Sequence, residues 1–106
     1  MQNSAQRRAS ELLVARHVVR ALTERGIDAP KAENLIEDTE LRNRDLSLFG
    51  LNSLDWIALA TRLENEVGAE IPDHVLVSPE YRCVAGWGEA VLAARTAQVE
   101  THQSAH

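Results

Sequence analysis

The run from Asn52 to Gly68 constrains this chain more than any other part of it. Trp56, Leu59, Ala60, Leu63 and Val67 recur at helical spacing and form one apolar stripe, with a favoured N-cap in front at Asn52 and a glycine stop behind at Gly68. A helix is predicted from Ser53 to about Val67, and a helix with one apolar face has to bury that face against other elements. Composition says what those elements are. Of 106 residues, 44% are hydrophobic but only 4% are aromatic, so the core must be built mostly from Leu, Val, Ile and Ala. That is the make-up of a small helix bundle rather than a β-sandwich.

Two further helices supply the partners. Ala15, Val18, Val19 and Leu22 follow i, i+3, i+4, i+7 spacing, which predicts a helix capped by Ser10, running to about Arg25 and ended by Gly26. Val84, Trp87, Val91 and Ala94 define the face of a last helix from about Val84 to Gln98, in which Gly86 and Gly88 each cost about 1 kcal/mol relative to Ala. Between Ile27 and Asn52 the periodicity breaks up, apart from a short helix opened by Pro30 and ending near Ile36. This reads as a long loop, pinned to the core by Leu41, Leu46, Leu48, Phe49 and Leu51. One helical turn is expected at His74–Val77, between Pro72 and Pro79. The expectation is a single domain over residues 10–98, with a disordered leader at 1–9 and a disordered tail at 99–106.

Charge narrows the partners. Met1 to Arg25 carry five Arg against two Glu, leaving six basic and fourteen acidic residues in the remainder, a balance of −8. An acidic body disfavours nucleic acid and anionic membrane, and favours basic protein surfaces. The single cysteine, Cys83, excludes an internal disulfide and reads as a small buried hydrophobe. His17, His74, His102 and His106 lack metal-ligand spacing, so no metal is expected. With no apolar run of membrane-spanning length and no apolar leader, a cytoplasmic monomer is the expectation.

The chemistry concentrates at the start of the central helix. With Asn52 as the cap, Asp55 falls at N3, where a carboxylate is favoured by the helix dipole and can reach back to the cap's own N–H. Were Ser53 the cap, N3 would be Trp56, which can do neither. Ser53 at N1 has a hydroxyl free for modification, in a field that suits a phosphate. A serine at a helix start also serves simply as the cap, and local physics leaves both readings open.

The run Gly50-Leu51-Asn52-Ser53-Leu54-Asp55, followed by Leu59, Leu63-Glu64 and Glu66 and then by Glu70-Ile71-Pro72-Asp73, resembles the acyl carrier protein family. Cys83-Val84 resembles that family's Thr-Val start of its last helix, so the likeness spans roughly Leu12 to Ala94. The resemblance implies an all-α four-helix bundle of acyl-carrier type, here with a long loop between the first and second helices. It also implies 4′-phosphopantetheine carried on Ser53. Three departures stand out. Asn52 replaces the family's aspartate, which is expected to slow modification; Ala58 replaces a commonly acidic position; and the segments before Gly50, containing Arg42 and Arg44, and from Pro72 to Cys83 are extended.

What this implies is transport without catalysis. A phosphopantetheinyl transferase would load Ser53 from coenzyme A, and separate acyl-loading and acyl-using enzymes of a fatty-acid or polyketide-like pathway would then visit a free-standing carrier. An aminoacyl or peptidyl carrier would use the same serine and arm, and an unmodified helical interaction module is the alternative of another class. A Ser53–His74 hydrolase lacks an orienting acid, an oxyanion hole and a nucleophile-elbow sequence. For docking, Asn52 and Asp55 shape the helix end, while Leu54 and Ile57 fall to one side of the buried stripe and are expected to be exposed beside Ser53. The other reading is that the preceding loop covers them, Ile57 above all. Asp55, Glu64 and Glu66 are the candidate rim charges towards a basic partner.

Overall fold

The computed structural model describes the backbone of residues 2–104 and the side chains of residues 5–96. Every regular element among them is helical, in the order α1 (Gln2–Glu24), α2 (Ala32–Glu37), α3 (Thr39–Asn43), a 3₁₀ turn (Leu46–Phe49), α4 (Ser53–Val67), α5 (Asp73–Val77), a second 3₁₀ turn (Pro79–Tyr81) and α6 (Val84–Ser104). The all-α class expected from the sequence is the class observed. Helices α1, α4 and α6 are the long elements, and α5 is little more than one turn.

The core is aliphatic, as the composition requires. Val14, Ala15, Val18 and Leu22 of α1 share one cluster with Leu59, Ala60 and Leu63 of α4 and with Val84, Trp87, Ala90 and Val91 of α6, joined by Leu35, Leu46, Leu51, Ile71 and Val75 from the segments between. Trp56 and Val67, at the ends of the α4 stripe, are only partly buried against this core. The most extensive helix contact is α1 on α6.

Three sequence expectations change. First, α1 starts at Gln2, not at Ser10, so the leader expected at 1–9 is helical from Gln2 onward. Neither Gly nor Pro interrupts that stretch, and its Gln, Ala and Arg residues favour a helix. Ser10 is consequently not a cap but a buried helix-interior residue whose hydroxyl has no partner among the described residues. Second, the tail expected to be disordered from residue 99 continues as α6 to Ser104, and the last two residues lie outside the described ones.

Third, the long loop expected between the first and second helices of the bundle is built from two short helices and a 3₁₀ turn. Asp38 ends α2 and caps α3, its Oδ1 accepting from the N–H groups of Glu40 (3.0 Å) and Leu41 (3.3 Å). Helices this short show no periodic pattern, and their stability comes from packing. Leu46 and Leu51 do pin the segment to the core, but Leu48 is exposed.

Two glycines of α6 have a role that helix propensity does not reveal. A Cβ on Gly86 would lie 2.6 Å from Tyr81 Cα and 2.7 Å from the Glu80 carbonyl oxygen, and one on Gly88 would collide with Glu11 Cγ. They let neighbouring chain segments approach α6 closely. Beside Gly88, the buried Glu11 carboxylate accepts two hydrogen bonds from the Arg42 guanidinium of α3, at 2.6 and 2.8 Å.

Candidate functional site

The chain reaches α4 through the first 3₁₀ turn. Asp45 caps that turn, accepting from the Ser47 N–H (2.9 Å) and the Ser47 hydroxyl (2.8 Å). Gly50 ends it at φ +108°, in the left-handed region, with a Cβ position that would lie 2.9 Å from Ile27 Cδ1. The left-handed backbone selects glycine, whereas the Ile27 methyl is the end of a side chain that can shift.

The start of α4 is a full capping box. Asn52 Oδ1 accepts from the N–H groups of Leu54 (3.0 Å) and Asp55 (3.1 Å), and Asp55 Oδ2 accepts from the Asn52 N–H (2.8 Å). Asn52 therefore does the capping. Ser53 is the first residue of α4, is exposed, and its hydroxyl has no hydrogen-bond partner among the described residues. Of the two readings of a serine at this place, the geometry selects the uncommitted one.

Arginines from outside the helix hold this end in place. The Arg25 guanidinium, just past α1, lies 2.8 Å from Asp55 Oδ2. Partial burial works against the Asp55 charge, but the Asn52 N–H and the Arg25 guanidinium outweigh it and hold the carboxyl below its ordinary range. Arg82 stacks over the Trp56 ring at 4.5 Å, lies 3.9 Å from Asp45 and accepts the Leu46 N–H on its carbonyl at 2.8 Å. Sequence reasoning gave neither arginine a part in the site. Each is far along the chain from the residues it meets, so no local spacing marks the contact.

The other docking candidates separate into two groups. Leu54 and Ile57 are exposed, at 73% and 53%. The three acids are each engaged within the chain: Asp55 as above, Glu64 accepting the Ile71 N–H at 2.8 Å, and Glu66 bonded to His17 Nε2 at 2.8 Å. Cys83 is half-buried rather than buried, just before α6, with its sulfur 3.3 Å from the Gly86 nitrogen. Among the described residues, no helix is long and apolar enough to cross a membrane.

A family model, described as the phosphopantetheine attachment site, matches residues 31–91, more than half of the chain. The chain belongs to that family. The match takes in α2 to α5 and the first part of α6, and so includes the whole capping box, while α1 lies outside it. Neither a curated protein nor a solved structure matches the chain. Domains of the phosphopantetheine attachment family are the place where 4′-phosphopantetheine is joined covalently, and they generally carry groups rather than catalyse reactions. The start of α4 fits such a group. It offers an exposed, unbonded hydroxyl at the N-terminus of a 15-residue helix, where the dipole favours a phosphate.

Proposed function

We propose that Ser53 is the attachment residue and that the chain carries acyl groups as thioesters between enzymes of a fatty-acid or polyketide-like pathway. The observation that carries this reading is the division of labour at the start of α4, where Asn52 and Asp55 complete the cap between them and leave the Ser53 hydroxyl uncommitted. When bound, phosphopantetheine supplies a long arm ending in the thiol that holds the cargo. The protein's part is to fix where the arm begins. The capping box and the Arg25–Asp55 pair hold Ser53 at a defined helix end, and the positive end of the α4 dipole stabilises a phosphodiester there.

Loading requires a phosphopantetheinyl transferase. The Ser53 Oγ–P bond forms as the diphosphate bond of coenzyme A breaks, the adenosine bisphosphate half leaves, and a base of the transferase takes the hydroxyl proton. Ser53→Ala should abolish the mass increase on incubation with coenzyme A and a transferase of broad carrier range. Its stability should stay within about 0.5 kcal/mol of the wild type, because no cap is lost. Modification that persists in this variant, read by intact mass, would sink the assignment.

A further inference from the structure

Between α5, the second 3₁₀ turn and α6 lies a cleft of about 280 Å³ that no residue of the α4 start lines. Its volume is close to the lower end for small-molecule sites, about 300–1,000 Å³. Ala90, Ala93 and Ala94 follow i, i+3, i+4 spacing, so α6 presents only methyl groups on this side and leaves the space open. Gly86, one turn earlier, lets the Tyr81 backbone come down onto α6. Tyr81 thereby joins the cleft wall beside His74, the two rings edge-on with centres 5.7 Å apart. The buried Val75 completes the apolar wall from α5.

The charges at this cleft are uncommitted. Glu70 and Glu89 line it and are exposed, and neither carboxylate has a hydrogen bond or an ion pair among the described residues. Among those residues no lysine or arginine lines the cleft. The acids of α4 are in the opposite situation, since Asp55, Glu64 and Glu66 all have partners within the chain. We propose that this cleft binds a small organic cation, a protonated amine on an apolar body, at a site separate from Ser53. Each part of the lining selects that chemistry. The ammonium donates to the Glu70 and Glu89 carboxylates and meets the Tyr81 ring face, which attracts a cation. The hydrocarbon body is buried against Val75 and the alanines of α6. An anion is repelled by the two acids, and a neutral molecule gains only the apolar part. A partner's lysine, with one unbranched stem, would leave much of the volume empty, so the shape favours a compact amine on a ring.

The test titrates phenethylamine into the full chain at neutral pH and follows backbone amide NMR signals, with phenethyl alcohol and phenylacetate as neutral and anionic counterparts. The amine should shift the signals of His74, Tyr81 and Ala90 and bind roughly tenfold tighter than the alcohol, and phenylacetate should not bind. Glu70→Gln and Glu89→Gln should each weaken the amine about threefold and leave the alcohol unaffected. Glu33→Gln, which removes an equally unpaired acid on α2, should change neither. Ala93 is exposed on the cleft wall, so Ala93→Phe should fill the space and abolish binding while circular dichroism shows the fold intact. Equal affinity for all three compounds, no saturable shift at millimolar amine, or binding that survives Ala93→Phe overturns the site. Tighter binding of Nα-acetyl-lysine amide than of phenethylamine overturns the small-molecule occupant in favour of a partner's lysine. Ser53→Ala should bind the amine as the wild type does, so failure of this site leaves the attachment reading standing.

Discussion

The start of α4 and the packing of α1 against α6 handle charged groups in opposite ways. At α4 the polar bonds are mostly short-range and near solvent, as Asn52 and Asp55 bond to each other across three residues with the exposed Ser53 between them. Where α1 meets α6, Glu11 is 4% exposed, faces Gly88 of α6 and is held by Arg42, 31 residues away on α3. The first arrangement leaves a hydroxyl available and costs the fold little when altered. The second places a charge inside the protein, where losing its partner leaves an uncompensated ion.

The largest effect should come from breaking the second region. Arg42→Ala strands the Glu11 carboxylate and should cost about 3 kcal/mol in urea unfolding, while loading of Ser53 in the folded protein stays unchanged. A loss as small as that of an exposed ion pair would remove the contrast. Gly86→Ala comes next and decides between two arguments of opposite sign. Helix propensity alone favours the alanine by about 1 kcal/mol, whereas a Cβ 2.6 Å from the Tyr81 backbone forces the second 3₁₀ turn away from α6. The variant should be less stable by about 2 kcal/mol, and a higher Tm would show that the close approach does not matter.

At the α4 end the effects should be smaller. Asn52→Ala removes the acceptor for two N–H groups and should cost about 1 kcal/mol, measurable in the same urea titration. Asp45 and Asp55 give a pH signature. Burial raises the Asp45 carboxyl, but its bonds from Ser47 and the nearby Arg82 outweigh this and hold it, like Asp55, below the ordinary value. Lowered folded-state values mean that their stabilisation is fully present above about pH 4 and is lost as pH falls through those values. Asp55→Asn should therefore flatten the acid limb of the stability curve, and an unchanged slope would place the acid sensitivity elsewhere.

Much of the candidate site was legible because its bonds are local. The candidate capping box of Asn52 and Asp55 and the stop at Gly68 follow from spacings of a few residues and hold in the structure, which also decides between Asn52 and Ser53 as the cap. Local signals also misled. Ser10 is a good cap residue by type, yet the helix-forming residues before it extend α1 and bury it. The acids of α4 read as free rim charges because nothing in their spacing shows that Arg25, His17 and the Ile71 N–H will reach them.

The sequence by itself determined the helical class and the central helix with its ends, and offered a capping pair at Asn52 and Asp55, since each depends on the period of 3.6 residues or on contacts within one turn. Tertiary structure alone decided which charges remain available. Arg25 meets Asp55 and Arg42 meets Glu11 only because the helices pack as they do. It also decided that Gly86 and Gly88 are sites of close approach rather than weak points of α6. The reason is the same in each case: a side chain's partner across the fold is set by how helices pack, and no spacing along one helix encodes it.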